Sequence, residues 1–165
     1  MELLPYGDGD IELTYALETD PEVMRELGGA LPRSAIPAIH RRRVGDPWWL
    51  KIVPDPNGPA VGTIGIWDKE LDDQRLHETG WMVLPEHQGR GIASAALGLL
   101  IDRARAEPRF DALHAFPPVT NPPSNALCRK FAFGLVGERD FVYAGRTLRC
   151  NHWRLAVTSA RPHPS

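Results

Sequence analysis

The glycine-rich segment Gln88–Ala93 has residue types and a spacing that point to chemistry. It lies between a strand-like segment that Pro85 ends and an apolar, helix-like segment that begins at Ile92. Glycine lets a ligand approach the backbone closely, and the free N–H groups at a helix start, with the positive end of the helix dipole, bind phosphate oxygens. Arg90 adds a cation beside them. The segment therefore predicts a phosphate-binding loop, although Gly-x-Gly spacing alone fits a tight turn equally well.

Two other phosphate-binding motifs do not fit these residues. A P-loop ends in Gly-Lys-Ser/Thr, which is absent here. A dinucleotide fingerprint requires a parallel strand-helix-strand start, a third glycine and an acidic residue about 20 positions further on. No pair of histidines has metal-ligand spacing with a third donor, so no metal site is predicted.

A longer segment around this loop, Gly80–Ala93, resembles the acetyl-CoA motif of the GNAT acetyltransferase superfamily, Gln/Arg-x-x-Gly-x-Gly/Ala. Downstream, Asn121–Ser124 followed by Arg129–Phe133 is similar to the second CoA-contacting helix of that superfamily, usually Asn-x-x-Ser/Ala ahead of Lys-x-Gly-Phe. Ala132 stands where glycine is usual. Gly134 is therefore expected to provide the helix stop instead.

The resemblance extends from about Leu3 to Val157 and is closest to the branch that contains ribosomal-protein alanine N-acetyltransferases. It implies an α+β fold with a mixed, mostly antiparallel central sheet flanked by helices. It also implies an N-acetyltransferase that moves the acetyl group of acetyl-CoA to a primary amine, a protein N-terminus or a small-molecule amine, by direct attack in a ternary complex. Two alternatives stay open: a noncatalytic acyl-CoA-binding regulator, and an unrelated α+β binding domain with an incidental glycine-rich turn.

The resemblance also implies which residues contact acetyl-CoA. Backbone groups of Met82–Leu84 are expected to hydrogen-bond the pantetheine arm as if it were an added strand. The N–H groups of Gly89–Ala93, with Ser94 nearby, are expected to hold the pyrophosphate. Asn121 is expected to orient the pantetheine or a water, or alternatively to cap or turn the Pro-rich loop. The full predicted cofactor set is Met82, Val83, Leu84, Gln88, Gly89, Arg90, Gly91, Ile92, Ala93, Ser94, Asn121 and Ser124.

Acyl transfer to an amine requires a general base. Ammonium groups with pKa values near 10, or about 8 for an α-amino group, are mostly protonated at neutral pH and cannot attack. Glu78 lies on the strand before the cofactor loop, where related enzymes often place a carboxylate, although it is alternatively an exposed strand residue. His77 should point to the opposite sheet face, because strand side chains alternate. His114 is a further candidate, but a buried, hydrogen-bonded histidine is its commoner role.

The reaction also needs a hydrogen-bond donor that stabilises the oxyanion and a group that supplies a proton to the CoA thiolate. The backbone N–H of Val83 is expected to stabilise the oxyanion. Many relatives use a tyrosine as general acid on the second CoA helix, but the corresponding residue here is Cys128. Ser124 is therefore predicted as a catalytic residue, with Tyr143 or water as alternatives. Cys128 itself is expected to be a small buried residue.

Two groups of residues could select the acceptor. Arg41–Arg43 could favour an acidic acceptor, but a run of charge on a helix is usually a solvated face. Trp48, Trp49 and Trp67 could line an acceptor pocket, yet strand aromatics more often belong to the core.

Hydrophobic periodicity predicts helices and strands that agree with this fold class. The predicted helices are Asp10–Leu27, interrupted at Asp20-Pro21, a segment from Pro32 to Val44, Ile92–Ala106 with a stripe of alanine and leucine, and Ser124–Phe131 with Ser124 as N-cap. The predicted strands are Trp49–Val53, Val61–Trp67, Glu78–Leu84, Leu113–Phe116, Gly137–Tyr143 and Arg149–Val157, with turns at 55–58 and at Ala144-Gly145.

The composition restricts the class of protein. The 165 residues are 42% hydrophobic and 24% charged with a formal net charge of -2, typical of a globular domain and unlike the basic surface that nucleic acid requires. One domain over 1–158 and a loose tail over 159–165 are expected. The two cysteines lack framework spacing, no secretory signal precedes them, and no apolar run approaches a membrane span, so a cytoplasmic protein without membrane contact is expected. Acetyl-CoA and an amine are the expected partners, and a homodimer is open.

Overall fold

The structure, a computed structural model, describes residues 1–143 and 145–158. Its strands are β1 (Glu2–Pro5), β2 (Trp49–Val53), β3 (Gly62–Leu71), β4 (Gln74–Val83), β5 (Ala112–Ala115), β6 (Gly134–Tyr143) and β7 (Arg146–Ala156). Its helices are α1 (Ile11–Glu18), α2 (Ile36–Arg43), α3 (Ile92–Arg105) and α4 (Pro122–Lys130). Short 3₁₀ turns cover Asp8–Asp10, Arg25–Leu27, Arg33–Ala35 and Pro85–His87.

The strands form one sheet in the order β1-β2-β3-β4-β5-β7-β6. Neighbouring strands are antiparallel except β4 and β5, which are parallel and register only at Glu78 and His114. Beyond that pair, β4 continues to Val83 whereas β5 ends at Ala115, so the two strand ends separate. The expected mixed, mostly antiparallel sheet flanked by helices is confirmed.

The long helix expected over Asp10–Leu27 is wrong in its second half, because α1 ends at Glu18. The Asp20 side chain accepts hydrogen bonds from the N–H groups of Glu22 at 2.8 Å and Val23 at 3.0 Å. Such a turn gives the backbone a partner that competes with helix continuation. The residues after Glu18 therefore form turns and one short 3₁₀ segment.

The hairpin between β3 and β4 is longer than the sequence predicts. It turns at Asp72 and Asp73, whose φ angles are 50° and 60°. Two successive positive φ angles are typical of a type I′ turn, for which Asn-Gly or Asp-Gly is the recognisable sequence. An Asp-Asp pair lacks that signal, so the ends of both strands were missed.

Helix α3 packs its predicted stripe against one face of the sheet. Its buried residues are Ala96, Leu97, Leu100, Ile101 and Ala104. They belong to the same core cluster as Ile64 of β3, Leu113 of β5 and Leu155 of β7. Residues that alternate with these core positions therefore point to the other face.

Helices α1 and α2 lie over that other face. A buried hydrogen bond of 2.9 Å between Thr14 Oγ1 and His40 Nδ1 joins the two helices. The turn before α1 is held to the sheet because Lys51 Nζ of β2 lies 2.8 Å from Asp10 Oδ1. The sheet is thus covered on both sides, as its α+β class requires.

Helix α4 begins earlier than predicted, and its N-cap is Asn121 rather than Ser124. The Asn121 side chain accepts a hydrogen bond of 3.3 Å from the Ser124 N–H, and Pro122 takes the first helical position. At the other end, Ala132 itself adopts the left-handed conformation with φ of 60°. The expectation that Gly134 stops the helix is wrong, because Gly134 is already the first residue of β6.

The final hairpin joins β6 and β7 in register from Tyr143 and Arg146 onward. Of its predicted turn, Gly145 has φ of 77°, and Ala144 lies outside the described residues. The predicted tail, 159–165, also lies outside them. Across the part of the chain that is described, none of the helices has the length and apolar character needed to cross a bilayer.

Candidate active site

A cleft of about 810 Å³ opens where β4 and β5 separate. One wall consists of the end of β4 and the start of α3, and the other of the segment from Ala115 to Ser124. The rest of the cleft lies beside the ends of α1 and α2 and the segment 22–27 that follows α1. It includes Trp49, Trp67, Lys69, Glu78 and Tyr143. The sequence-predicted cofactor loop and the predicted base therefore share one cavity.

The glycine-rich loop has a geometry suited to binding an anion. Gly89 and Gly91 have φ angles of 72° and 75°, which favour glycine. The Ala95 N–H donates to the Gly91 carbonyl at 3.0 Å, so the preceding N–H groups of Ile92–Ser94 have no helical partner. A Cβ at Gly91 would meet no protein atom within 4 Å, and Gly91 lines the cleft. Substituents there would project into space that a ligand can use.

Gln88 fastens this loop to the strand before it. Its Nε2 donates a hydrogen bond of 2.9 Å to the Val83 carbonyl. The side chain of Gln88, the glutamine of the sequence motif, thus hydrogen-bonds the protein's own backbone. Arg90 is exposed at the surface of the loop, beside the free N–H groups.

The end of β4 directs only alternate backbone groups at the cleft. The Leu84 N–H donates to the Val61 carbonyl at 2.9 Å, and the Leu84 carbonyl accepts from His87 at 2.9 Å. Because N–H and C=O directions alternate along a strand, Met82 shares the direction of Leu84 toward β3, whereas Val83 and Trp81 face away from β3. Of the predicted Met82–Leu84 set, Val83 therefore presents its N–H to the cleft. Trp81, which strand alternation could have identified, was missed.

Helix α4 borders the other side of the loop. Ser124 is half-buried and lines the cleft, and the Asn121 side chain, which also lines it, is used as the helix cap. Lys130 Nζ donates to Ser94 Oγ at 2.6 Å, which joins the end of α4 to the first turn of α3. Cys128 is fully buried in the core, and burial raises the pKa of its thiol to about 12. It faces away from the cleft and stays a neutral thiol.

Glu78 and His77 point to opposite faces of β4. Both Trp67 Nε1 and Lys69 Nζ lie 3.1 Å from Glu78 Oε2, inside the cleft. His77 instead lies on the α3 side, where its ring is 4.8 Å from that of Phe110. Only Glu78 of this pair faces the cleft.

His114 forms a buried pair with His152, with 2.8 Å between His114 Nδ1 and His152 Nε2. Burial, with a smaller contribution from the nearby His152, lowers the pKa of His114 to about 4. Phe116 stacks on His152 at 4.5 Å and separates the pair from the cleft that Phe116 itself lines. The geometry matches a structural histidine pair.

The arginine run divides between solvent and the cleft. Arg41 and Arg42 are exposed, but Arg43 turns inward to pair with Glu18, and its guanidinium lies 4.2 Å from the centre of the Trp49 ring.

Tyr143, on the opposite side of the cleft, has its pKa raised to about 12 by burial and by the Glu78 charge. It therefore keeps its proton at neutral pH.

The tryptophans also divide. Trp49 and Trp67 line the cleft with ring centres 5.1 Å apart. Trp48 is buried on the α3 face against Phe110, with ring centres 4.7 Å apart.

No group of three or more metal-binding side chains lies together within 1–143 and 145–158.

The family model of the acetyltransferase (GNAT) domain matches residues 1–134. This chain belongs to the GNAT acetyltransferase family. The resemblance inferred from the loop and the second CoA helix is thereby confirmed, and the enzyme class with it.

Solved structures of GNAT acetyltransferases have the same fold. The acetyltransferase from Bacillus anthracis is 16% identical with a TM-score of 0.80, over 94% of this chain and 93% of that one. The spermidine N-acetyltransferase from Vibrio cholerae, in complex with CoA and spermine, is 18% identical with a TM-score of 0.77, over 94% of each chain. The ribosomal-protein-alanine N-acetyltransferase from Brucella melitensis is 21% identical with a TM-score of 0.75, over 94% and 99%. Identities this low support the fold alone.

Proposed function

We propose that this protein transfers the acetyl group of acetyl-CoA to a primary amine, a protein N-terminus or a small molecule, by direct attack in a ternary complex. The observation that carries the proposal is that one cleft contains both the free N–H groups of Ile92–Ser94 and the carboxylate of Glu78. An anion-binding helix start suits the pyrophosphate. A carboxylate in the same cavity suits proton removal from an amine.

The donor is expected to lie along the first wall of the cleft. The N–H groups from Gly89 to Ser94 bind the pyrophosphate, with Arg90 adding a cation. The pantetheine arm extends along Trp81 and Val83, whose backbone groups face away from β3. The thioester then lies near the Val83 N–H, which stabilises the oxyanion of the tetrahedral intermediate.

The chemistry requires two proton movements. Glu78 accepts a proton from the acceptor nitrogen, directly or through a water, and the nitrogen attacks the thioester carbon. The carbon–sulfur bond then breaks and CoA leaves as a thiolate, whose conjugate thiol has a pKa of about 8.5, so modest proton assistance suffices. Ser124, Tyr143 or water supplies this proton. Cys128 does not, because it faces the core.

The donor site can be tested by calorimetry with a matched pair of variants. Gly91→Asn and Gly91→Asp have nearly the same shape, and both residues tolerate a positive φ, so they differ in charge alone. We expect the aspartate variant to bind acetyl-CoA at least about tenfold more weakly than the asparagine variant, because it places a carboxylate beside the pyrophosphate. Equal affinities in two folded variants would remove the pyrophosphate from this loop.

The activity can be tested by following free thiol during incubation with acetyl-CoA and an amine. The panel contains dipeptides with free N-termini, polyamines, aminoglycosides and arylamines. Glu78→Gln should lower turnover of the preferred amine by roughly 10²–10⁴ at neutral pH, with partial recovery at higher pH as the amine loses its proton unaided. Tight binding of acetyl-CoA without turnover of any amine would favour a noncatalytic acyl-CoA-binding protein.

A further inference from the structure

The Glu78 carboxylate is held by one oxygen only. Trp67 Nε1 donates to Oε2 at 3.1 Å, and Lys69 Nζ lies 3.1 Å from the same atom. The Glu78 and Lys69 side chains are 13% and 18% exposed, so the ion pair is largely removed from water. The other oxygen, Oε1, has no hydrogen-bond partner among the described residues.

We propose that Trp67 and Lys69 are positioning residues that fix the Glu78 carboxylate through Oε2 and leave Oε1 free to receive the proton of the acceptor amine. The inference rests on the proposed function, in which Glu78 is the base. An ionised carboxylate has several acceptor sites, and two donors on one oxygen define the direction in which the other oxygen points. A base held in this way needs little reorganisation when the acceptor binds.

The Trp67 ring cannot easily turn away from Glu78. The Cη2 edge of the ring points at Gly80, where an added Cβ would come within 2.8 Å of that atom. Its other neighbour is the Trp49 ring, and the Arg43 guanidinium covers Trp49 in turn at 4.2 Å. Gly80 therefore provides the space that lets the indole N–H reach Oε2.

Lys69 is equally constrained. Its ammonium group lies 5.2 Å from the centre of the Phe116 ring and 4.6 Å from that of Phe141. Aromatic faces attract a cation, so the two rings hold the group in place. Glu78 is the carboxylate with which it pairs. Removing the cation would leave a largely buried carboxylate with a single donor on Oε2.

The geometry can be tested by NMR without knowing the acceptor. The indole N–H of Trp67 is assigned by its loss in Trp67→Phe. We expect this resonance to be shifted downfield by its bond to a carboxylate, and to move upfield in Glu78→Gln, which is a weaker acceptor. An unchanged indole resonance in a folded Glu78→Gln variant would overturn the proposal.

The role can be tested by kinetics with an alanine-starting peptide and with spermidine, using the better wild-type acceptor. Trp67→Phe and Lys69→Met should each lower kcat by roughly 10- to 100-fold, as displaced catalytic groups do, while acceptor KM and acetyl-CoA affinity change little. Lys69→Arg should recover most of the loss, because it restores the cation. The matched control is Arg75→Met, which removes an exposed cation from the same hairpin.

A second pair of variants tests the space at Gly80. Gly80→Ala should reproduce the kcat loss of Trp67→Phe, because its methyl group displaces the ring. Gly137→Ala, in β6, adds a methyl group that meets nothing within 4 Å and should leave kcat unchanged. Equal kcat values for Gly80→Ala and wild type would contradict the proposed alignment.

Turnover of the three variants distinguishes the role of Glu78 as base from the positioning role of Trp67 and Lys69. If Glu78→Gln retains full turnover, Glu78 is not the base and the mechanism above is wrong. If Glu78→Gln is inactive but Trp67→Phe and Lys69→Met turn over like wild type, only the positioning role is refuted. If wild type acetylates neither of these two amines, the kinetics use the preferred amine of the panel above, and the NMR result decides the geometry independently of the acceptor.

Discussion

We expect Ala132→Gly to stabilise the protein. The end of α4 has both hydrogen bonds of a Schellman motif: Ala132 N–H donates to Arg129 at 3.1 Å, and Phe133 N–H donates to Cys128 at 3.0 Å. The motif requires a left-handed residue after the helix, which is Ala132 with φ of 60°. Glycine is the usual residue there because it has no Cβ to clash with the carbonyl group.

The magnitude follows from two opposing terms. Relief of the left-handed conformation is worth about 1–2 kcal/mol. Glycine also gives the unfolded chain more freedom, which costs about 0.4–1 kcal/mol. Ala132 is exposed, so its methyl group contributes little packing. The net gain is about 0.5–1 kcal/mol, which corresponds to about 1–4 °C in Tm for a chain of this size.

Urea denaturation and thermal melting measure this change, and Ala126→Gly is the matched control. Ala126 is exposed on the same helix but has an interior helical position, so the same substitution should lower the free energy of unfolding by about 1 kcal/mol. The two variants should differ by about 1.5–2 kcal/mol with opposite signs. Destabilisation by Ala132→Gly to the same extent as by Ala126→Gly would show that α4 does not end in this motif.

Three further predictions concern stability and thiol chemistry. Asp73→Gly, in the type I′ turn with φ of 60°, should raise the free energy of unfolding by about 0.5–1 kcal/mol in urea titrations, and a decrease would contradict the turn assignment. Cys128 and Cys150 are buried, and burial raises the pKa values of their thiols to about 12 and about 11. Ellman's reagent should therefore label the native protein at least roughly 100-fold more slowly than the unfolded protein. Fast labelling of the native protein would argue against the burial of these thiols. Burial lowers the pKa of His114 to about 4 in the folded protein, so as the pH decreases His114 is protonated in the unfolded chain before it is protonated in the folded protein. The free energy of unfolding should therefore fall as the pH decreases from about 6.5 toward 4. Urea titrations at pH 7 and 5 measure this, and an equal pH dependence in His114→Gln would assign it to other groups.

The cofactor loop could be predicted from the sequence because its conformation is local. The strand end at Pro85, the two glycines and the helix start at Ile92 occupy one continuous segment, and each is decided by neighbouring residues. The helical stripe of α3 is local in the same sense, since side chains three and four positions apart share a face. Both therefore appear in the structure where the sequence places them.

Several details near the site were not accessible to the same reasoning. The helix cap is Asn121 rather than Ser124, because the Asn121 side chain ahead of two prolines accepts the Ser124 N–H and Ser124 thereby lies inside the first helical turn. Arg43 faces the cleft while Arg41 is exposed, a difference that follows from how α2 lies on the sheet. Arg41 and Arg43 have the same side chain and the same charge, so the sequence alone cannot show which of them faces the cleft.

The sequence by itself determined the family, the strand-loop-helix form of the glycine-rich segment and the opposite directions of His77 and Glu78, because each depends on residues adjacent in the chain or on strand alternation. Only the tertiary structure decided what surrounds Glu78. Trp67 and Lys69 contact Glu78 across the β3–β4 hairpin, whose register no local sequence signal specified. Phe116, which follows β5 in the chain, packs against Lys69. Contacts of this kind depend on strand pairing over long sequence separations, and pairing is set by packing of the whole sheet rather than by local propensity.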